Sequence, residues 1–133
     1  GAFARYMDFP QNFRSGIGGK FYRSEMLGVL AQIKEAGGGE TNTEKLNAAI
    51  ALFNRNRRMI EEIYDIRQTY PWRMTFEELY CLVRAGMVIP VEEHNRYLES
   101  VLQIIRKENG EPMDKIRVVI SGAFCEQPPL GLI

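Results

Sequence analysis

The sequence is poor in the residues on which most recognisable chemistry is built. Among its 133 residues there are two cysteines, Cys81 and Cys125, one histidine, His94, and one tryptophan. Two cysteines so far apart give neither a disulfide framework nor the closely spaced thiols of a metal site. A reduced, cytoplasmic setting is the expectation that follows. A single histidine with no serine or cysteine neighbour makes a poor catalytic triad. Neither sign of charge is in excess. Seventeen basic side chains balance seventeen acidic ones without a block of like charge, so no clustered basic face is expected to meet nucleic acid. No stretch approaches the eighteen or more apolar residues of a membrane span. Residues 1–10 lack the apolar core and cleavage site of a signal peptide. Internal repeats and low-complexity tracts are absent as well. What is present is ordinary globular composition, 45% hydrophobic and 26% charged, in a length that suits one small domain.

Apolar spacing organises most of the chain into helices. Residues 1–19 mix aromatics with Pro10, Gly16, Gly18 and Gly19 and read as an irregular lead-in. A helix is predicted from about Lys20 to Ala36, with Phe21, Met26, Leu27, Leu30 and Ile33 on its apolar side. Gly37-Gly38-Gly39 stops it, because glycine is favoured just past a helix end. Thr41 and Glu44 have the spacing of a capping box that would open the longest helix. Along that helix Leu46, Ala49, Ile50, Phe53, Ile60, Ile63 and Tyr64 recur at the period of one face. It must end before Pro71, since proline disfavours helical geometry in the residue ahead of it. Thr75 and Glu78 repeat the capping-box spacing and open a short helix over about 76–85, ended by Gly86. Pro90 suits the first position of a further helix, with Glu92 and Glu93 at its positive end. The buried stripe of that helix is Leu98, Val101, Leu102 and Ile105, and Asn109-Gly110 closes it. Residues 20–110 thus form a helical region.

The period changes only in the last stretch, 111–133. Ile116-Arg117-Val118-Val119-Ile120 is short and β-branched, and reads as a strand covered on both faces, as in a parallel sheet. Ser121 to Pro129 is the turn leaving it, and Leu130-Gly131-Leu132-Ile133 has the look of the first turn of a helix. One strand cannot satisfy its own backbone groups. The expected fold is therefore mainly α, a helical segment with one strand near 116–120, cut from something larger.

The strand-to-helix turn is the most informative place for chemistry. Ligands of open α/β sheets gather beyond the carboxyl ends of strands, where small residues let backbone amides approach them. Ser121 and Gly122 supply such a turn, and Cys125 with Glu126 beside it would sit on its rim. There Cys125 is either a ligand or nucleophile, or a packed thiol without chemistry. Cys81, next to Leu82 and Val83, is expected to pack in the core. His94, after two glutamates in a first helical turn, is expected to be solvated or to interact with the cap. Arg57, near Asn54 and Arg58, either joins an ion pair, holds a phosphate, or extends its head to water past a packed stem, the last being preferred. Gly16-Ile17-Gly18-Gly19 lacks the preceding strand of a phosphate-binding loop.

The run Arg117-Val118-Val119-Ile120-Ser121-Gly122-Ala123-Phe124-Cys125-Glu126-Gln127-Pro128-Pro129-Leu130 resembles the central segment of the ATP-dependent benzoyl-CoA reductase and 2-hydroxyacyl-CoA dehydratase family. Its Cys-Glu-Gln-Pro-Pro-Leu portion is most similar to a B-type benzoyl-CoA reductase subunit. Phe21-Tyr22-Arg23, Leu52 to Arg58 and Arg84 to Asn95 agree in order and spacing, so the likeness covers nearly the whole chain. The resemblance implies a subunit of two α/β lobes joined by helices, of which this chain would be the helical linker and the first strand, turn and helix start of the second lobe. It implies a [4Fe-4S] cluster in the full-length subunit, with low-potential electron transfer to a bound acyl-CoA. It also implies partner subunits and an ATP-hydrolysing iron–sulfur activator. Cysteines are the normal ligands of such clusters, and Cys125 could complete a set drawn from elsewhere or line the acyl-CoA pocket. With only Cys81 and Cys125 present, the isolated segment is expected to hold no cluster and to be inactive. Two other readings stand beside the reductase: a segment of a 2-hydroxyacyl-CoA dehydratase subunit, and a stand-alone helical interaction module.

Overall fold

The computed structural model describes residues 4–112 together with 115, 116 and 118. Four α-helices account for most of them: α1 (Lys20–Glu35), α2 (Thr43–Thr69), α3 (Phe76–Ala85) and α4 (Val91–Lys107). A π-helical turn, Ser15–Gly19, runs directly into α1, and a single 3₁₀ turn, Pro71–Arg73, joins α2 to α3. Among the described residues there is no strand. The expected strand at 116–120 lies outside them except for Ile116 and Val118, which carry no regular structure and are exposed.

The chain divides into two compact units, Gly1–Leu46 and Asn47–Ile133. In the first, the expected irregular stretch gives way at Ser15 to the π-helical turn, held by the Arg14 carbonyl accepting from Gly18 N at 2.9 Å. Gly18 is buried, and a Cβ there would collide with the Asn12 carbonyl, so only glycine fits. α1 ends as its glycines foretell. Gly37 adopts φ +92°, its N–H donates to Lys34 O at 3.1 Å, and Gly38 N donates to Ile33 O at 2.8 Å. Those two bonds form a Schellman ending, which needs a left-handed residue at that position. α1 buries none of its residues; Leu27, Leu30 and Ile33 remain 40–52% exposed.

The second unit holds the core. Met59, Ile63, Met74, Leu79, Leu98, Leu102 and Ile105 are buried together, with Ile60, Ile66, Leu82, Val83 and Val101 packed against them. The contacts from α2 to α4 keep a nearly constant offset, Leu52 to Asn95, Arg55 to Glu99 and Glu62 to Arg106, so the two helices run parallel. Arg106 Nε donates to Glu62 Oε1 at 2.9 Å, and Arg55 pairs with Glu99. Both pairs are partly exposed and act more as registers than as sources of stability. α3, linked to both by short turns, places Leu79 in the same core.

Helix starts follow local chemistry, with two shifts. α3 opens as expected: Glu78 N donates to Thr75 Oγ1 at 3.2 Å, and Thr75 N donates to Glu78 Oε2 at 2.7 Å. α2 instead begins after Asn42, whose Oδ1 accepts from Lys45 N at 2.8 Å, rather than in a box built by Thr41 and Glu44. The asparagine carboxamide reaches the third helical N–H from one residue later in the chain, and asparagine ranks among the best N-caps. Pro90 sits at the N-cap of α4, one position before the expected one, its carbonyl accepting from Glu93 N and His94 N.

The buried face of α2 is a further correction. The spacing favoured a stripe through Leu46, Ile50, Phe53 and Tyr64, yet these are 49–54% exposed. The helix buries Asn56, Met59 and Ile63. An asparagine in the middle of the true stripe hid it from a count of apolar positions.

Candidate functional site

The turn residues Ser121, Gly122, Cys125 and Glu126 lie outside the described residues. Within them, two features of the second unit combine polar and reactive groups at defined geometry: a buried polar lock between three helices and an apolar groove beside it.

The lock is centred on His94. The expectation of a solvated or cap-bound imidazole is wrong: the residue is 2% exposed, although it lies in a first helical turn beside Glu92 and Glu93. Its Nε2 lies 2.9 Å from the carbonyl oxygen of Leu82 in α3. A carbonyl has no proton to give, so Nε2 carries the hydrogen and donates it. Nδ1 is thereby left as an acceptor, and Asn56 Nδ2 in α2 donates to it at 2.9 Å. The same amide nitrogen donates to Asn95 Oδ1 at 2.7 Å, while Asn95 Nδ2 reaches Leu52 O at 3.4 Å. Asn56 and Asn95 are buried as well, at 9% and 3% exposure. Polar groups in such a place are tolerated because they are paired. Gly86 closes the site from the end of α3. A Cβ there would stand 2.5 Å from His94 Cε1 and 2.7 Å from Nδ1. Both ring nitrogens are committed to the protein, so the imidazole has the chemistry of a positioning group rather than of a ligand or base. Asn56, Asn95 and Gly86 escaped sequence reasoning; the available signal was two asparagines at stripe positions of α2 and α4.

The groove, about 480 Å³, lies between α3 and α4. Met74, Leu82, Ala85, Val101 and Ile104 line it, with Cys81 among them. Cys81 is thus not the core thiol its neighbours implied: it is a free, exposed cysteine. Leu82 and Val83 turn inward from the same helical segment while Cys81 faces out. Arg73 also lines the groove, its guanidinium 4.1 Å from the Tyr70 ring centroid and its Nε buried without a hydrogen-bond acceptor.

The other residues singled out are brought to neither feature. Arg57 is exposed and its Nη1 donates to Asn54 Oδ1 at 2.8 Å, which fits the packed-stem, solvated-head reading. The Gly16–Gly19 segment lies in the π-helical turn of the first unit, with no strand before it among the described residues. Among the described residues no three His, Cys, Asp or Glu side chains come together as a metal site, and no helix is long and apolar enough to cross a membrane.

Residues 3–133 match the family model described as 2-hydroxyglutaryl-CoA dehydratase, D-component. The chain belongs to that family. It is 39% identical to the C-type subunit of benzoyl-CoA reductase from Thauera aromatica over 133 residues, all of this chain and 34% of the relative. That relative is of the C type, whereas the terminal motif is most similar to a B-type subunit. The chain is 20% identical to the (R)-phenyllactyl-CoA dehydratase beta subunit of Clostridium sporogenes, over 91% of this chain and 32% of the relative. Against the lactoyl-CoA dehydratase beta subunit of Anaerotignum propionicum it is 24% identical over 88% of this chain and 31% of the relative. The chain therefore spans about a third of the length of the curated relatives it matches. No solved structure matches it. The stretches that carry the family likeness, Leu52–Arg58 and Arg84–Asn95, contain Asn56, Gly86, His94 and Asn95, so the lock sits inside the family segment.

Proposed function

We propose that this chain is a segment of an iron–sulfur subunit of an ATP-dependent benzoyl-CoA reductase, which passes low-potential electrons to an aromatic acyl-CoA. The observation that carries this reading is the contrast in identity: 39% to a benzoyl-CoA reductase subunit across the whole chain, against 20% and 24% to two dehydratase subunits. On this reading the described helices are scaffold. Their lock fixes α2, α3 and α4 to one another, and α4 leads toward the segment bearing Ser121, Gly122, Cys125 and Glu126.

The described residues do not fit an iron–sulfur cluster, for which they offer one exposed thiol, Cys81, and no set of ligands. A [4Fe-4S] cluster takes cysteine thiolates in a set of about four. It therefore belongs to cysteines outside the described residues, with Cys125 one member of that set or a wall of the acyl-CoA pocket. The segment alone is inactive. Its partners are the other subunits of the complex, in the cytoplasm, and an ATP-hydrolysing activator.

A dehydratase subunit is the second reading, favoured by the family description and by the two dehydratase relatives. The test is to express the complete open reading frame with its neighbouring subunit genes and an activator under anaerobic conditions. ATP-dependent loss of benzoyl-CoA, with no turnover of 2-hydroxyacyl-CoA, is the expected result. Dehydration without ring reduction would overturn the reductase in favour of the dehydratase.

A further inference from the structure

Several features of the second unit point to one missing neighbour. The α3–α4 groove is lined mainly by apolar side chains, and Ile104 beside it remains 61% exposed. Apolar surface gathered in one groove marks a place that something else covers. Arg73 adds a more specific sign. Its Nε is buried and has no acceptor, a costly state that a further oxygen would relieve.

We propose that the groove is an internal surface of a longer protein, filled by another stretch of the same polypeptide. This rests on the family-subunit reading above. The relatives supply the occupant's origin, since about two-thirds of their length lies outside the stretch matched here. The chemistry of the groove favours that origin over the alternatives. Non-obligate partner surfaces are about as polar as the rest of a protein, and this lining is more like a core left open. A two-fold contact with a second copy needs a patch complementary to itself, and a concave groove cannot fill a concave groove. The occupant is accordingly an apolar segment with one hydrogen-bond acceptor facing Arg73.

Cys81 is a reporter already in place. The experiment follows its alkylation by N-ethylmaleimide, resolved from Cys125 by peptide mass spectrometry, in the complete subunit at low concentration and in the same protein unfolded in urea. In the folded subunit alone, labelling of Cys81 should be slower by at least about tenfold, as expected when reaction waits on local opening. Labelling at the unfolded rate would overturn the proposal by showing an open groove. Protection that appears only when a partner subunit is added, or only as concentration rises, would overturn it by naming a different occupant. An open reading frame no longer than this chain would refute the family-subunit reading itself. A full-length subunit with a reactive Cys81 would refute the groove proposal alone.

Discussion

Gly86 and His94 allow a sharp test of the buried lock. In Gly86→Ala the added methyl has no room, standing 2.5 Å from His94 Cε1 and 2.7 Å from Nδ1. The ring cannot withdraw cheaply, because it is 2% exposed and tied at 2.9 Å to both Asn56 and Leu82. Backbone strain is not the cause, since Gly86 has φ −63° and ψ −10°, which alanine adopts freely. Alanine at such a site should in fact stabilise by about 0.4–1 kcal/mol through the unfolded chain. Against that stand overpacking, about 1–3 kcal/mol, and the weakening of a buried hydrogen-bonded group, about 1–3 kcal/mol. The expected net effect is a destabilisation of about 1–4 kcal/mol. His94→Ala removes the obstructing ring, so Gly86→Ala made in that background should be neutral or stabilising. Denaturant unfolding of the four proteins, read as shifts in midpoint at constant slope, gives the coupling directly. Equal destabilisation by Gly86→Ala with and without the imidazole would refute the clash, and no destabilisation in the unaltered protein would refute the tight packing of the lock.

Thr75→Ala should cost about 1 kcal/mol by removing the side-chain acceptor of the α3 capping box, measured by thermal unfolding. Leu98→Ala, at a position with 0% exposure, should cost about 2–5 kcal/mol. Leu46→Ala, 54% exposed on the unused face of α2, should stay within about 0.5 kcal/mol in this chain. A double-mutant cycle on Arg55 and Glu99 should give a coupling of no more than about 1 kcal/mol, reduced by salt. In the complete, activated complex, Cys125→Ser should lower iron content or turnover. Normal values of both would return Cys125 to a packing role.

Which parts of this architecture were legible depends on how far apart the deciding residues lie. The Thr75–Glu78 box, the helix stop at Gly37 and the α4 stripe of Leu98, Leu102 and Ile105 could all be read directly. The box and the stop each close within a few residues, and the stripe is carried by large side chains at one period. Family membership was legible for a related reason: order and spacing along the chain need no coordinates. The choice of Asn42 over Thr41 was a near miss, because several polar residues lie within reach of the same free amides and only geometry selects one. Burial was different. Cys81 sits between apolar neighbours, yet the rotation of α3 against its partners turns it outward. His94 follows two glutamates, yet α2 and α3 enclose it. What pairs it is an amide from Asn56 and a carbonyl from Leu82, and what accommodates its ring is the missing side chain of Gly86. The chain alone determined where its helices begin and end. Only the tertiary structure decided which face of each helix is inside, because burying a polar group depends on partners that packing brings from distant positions.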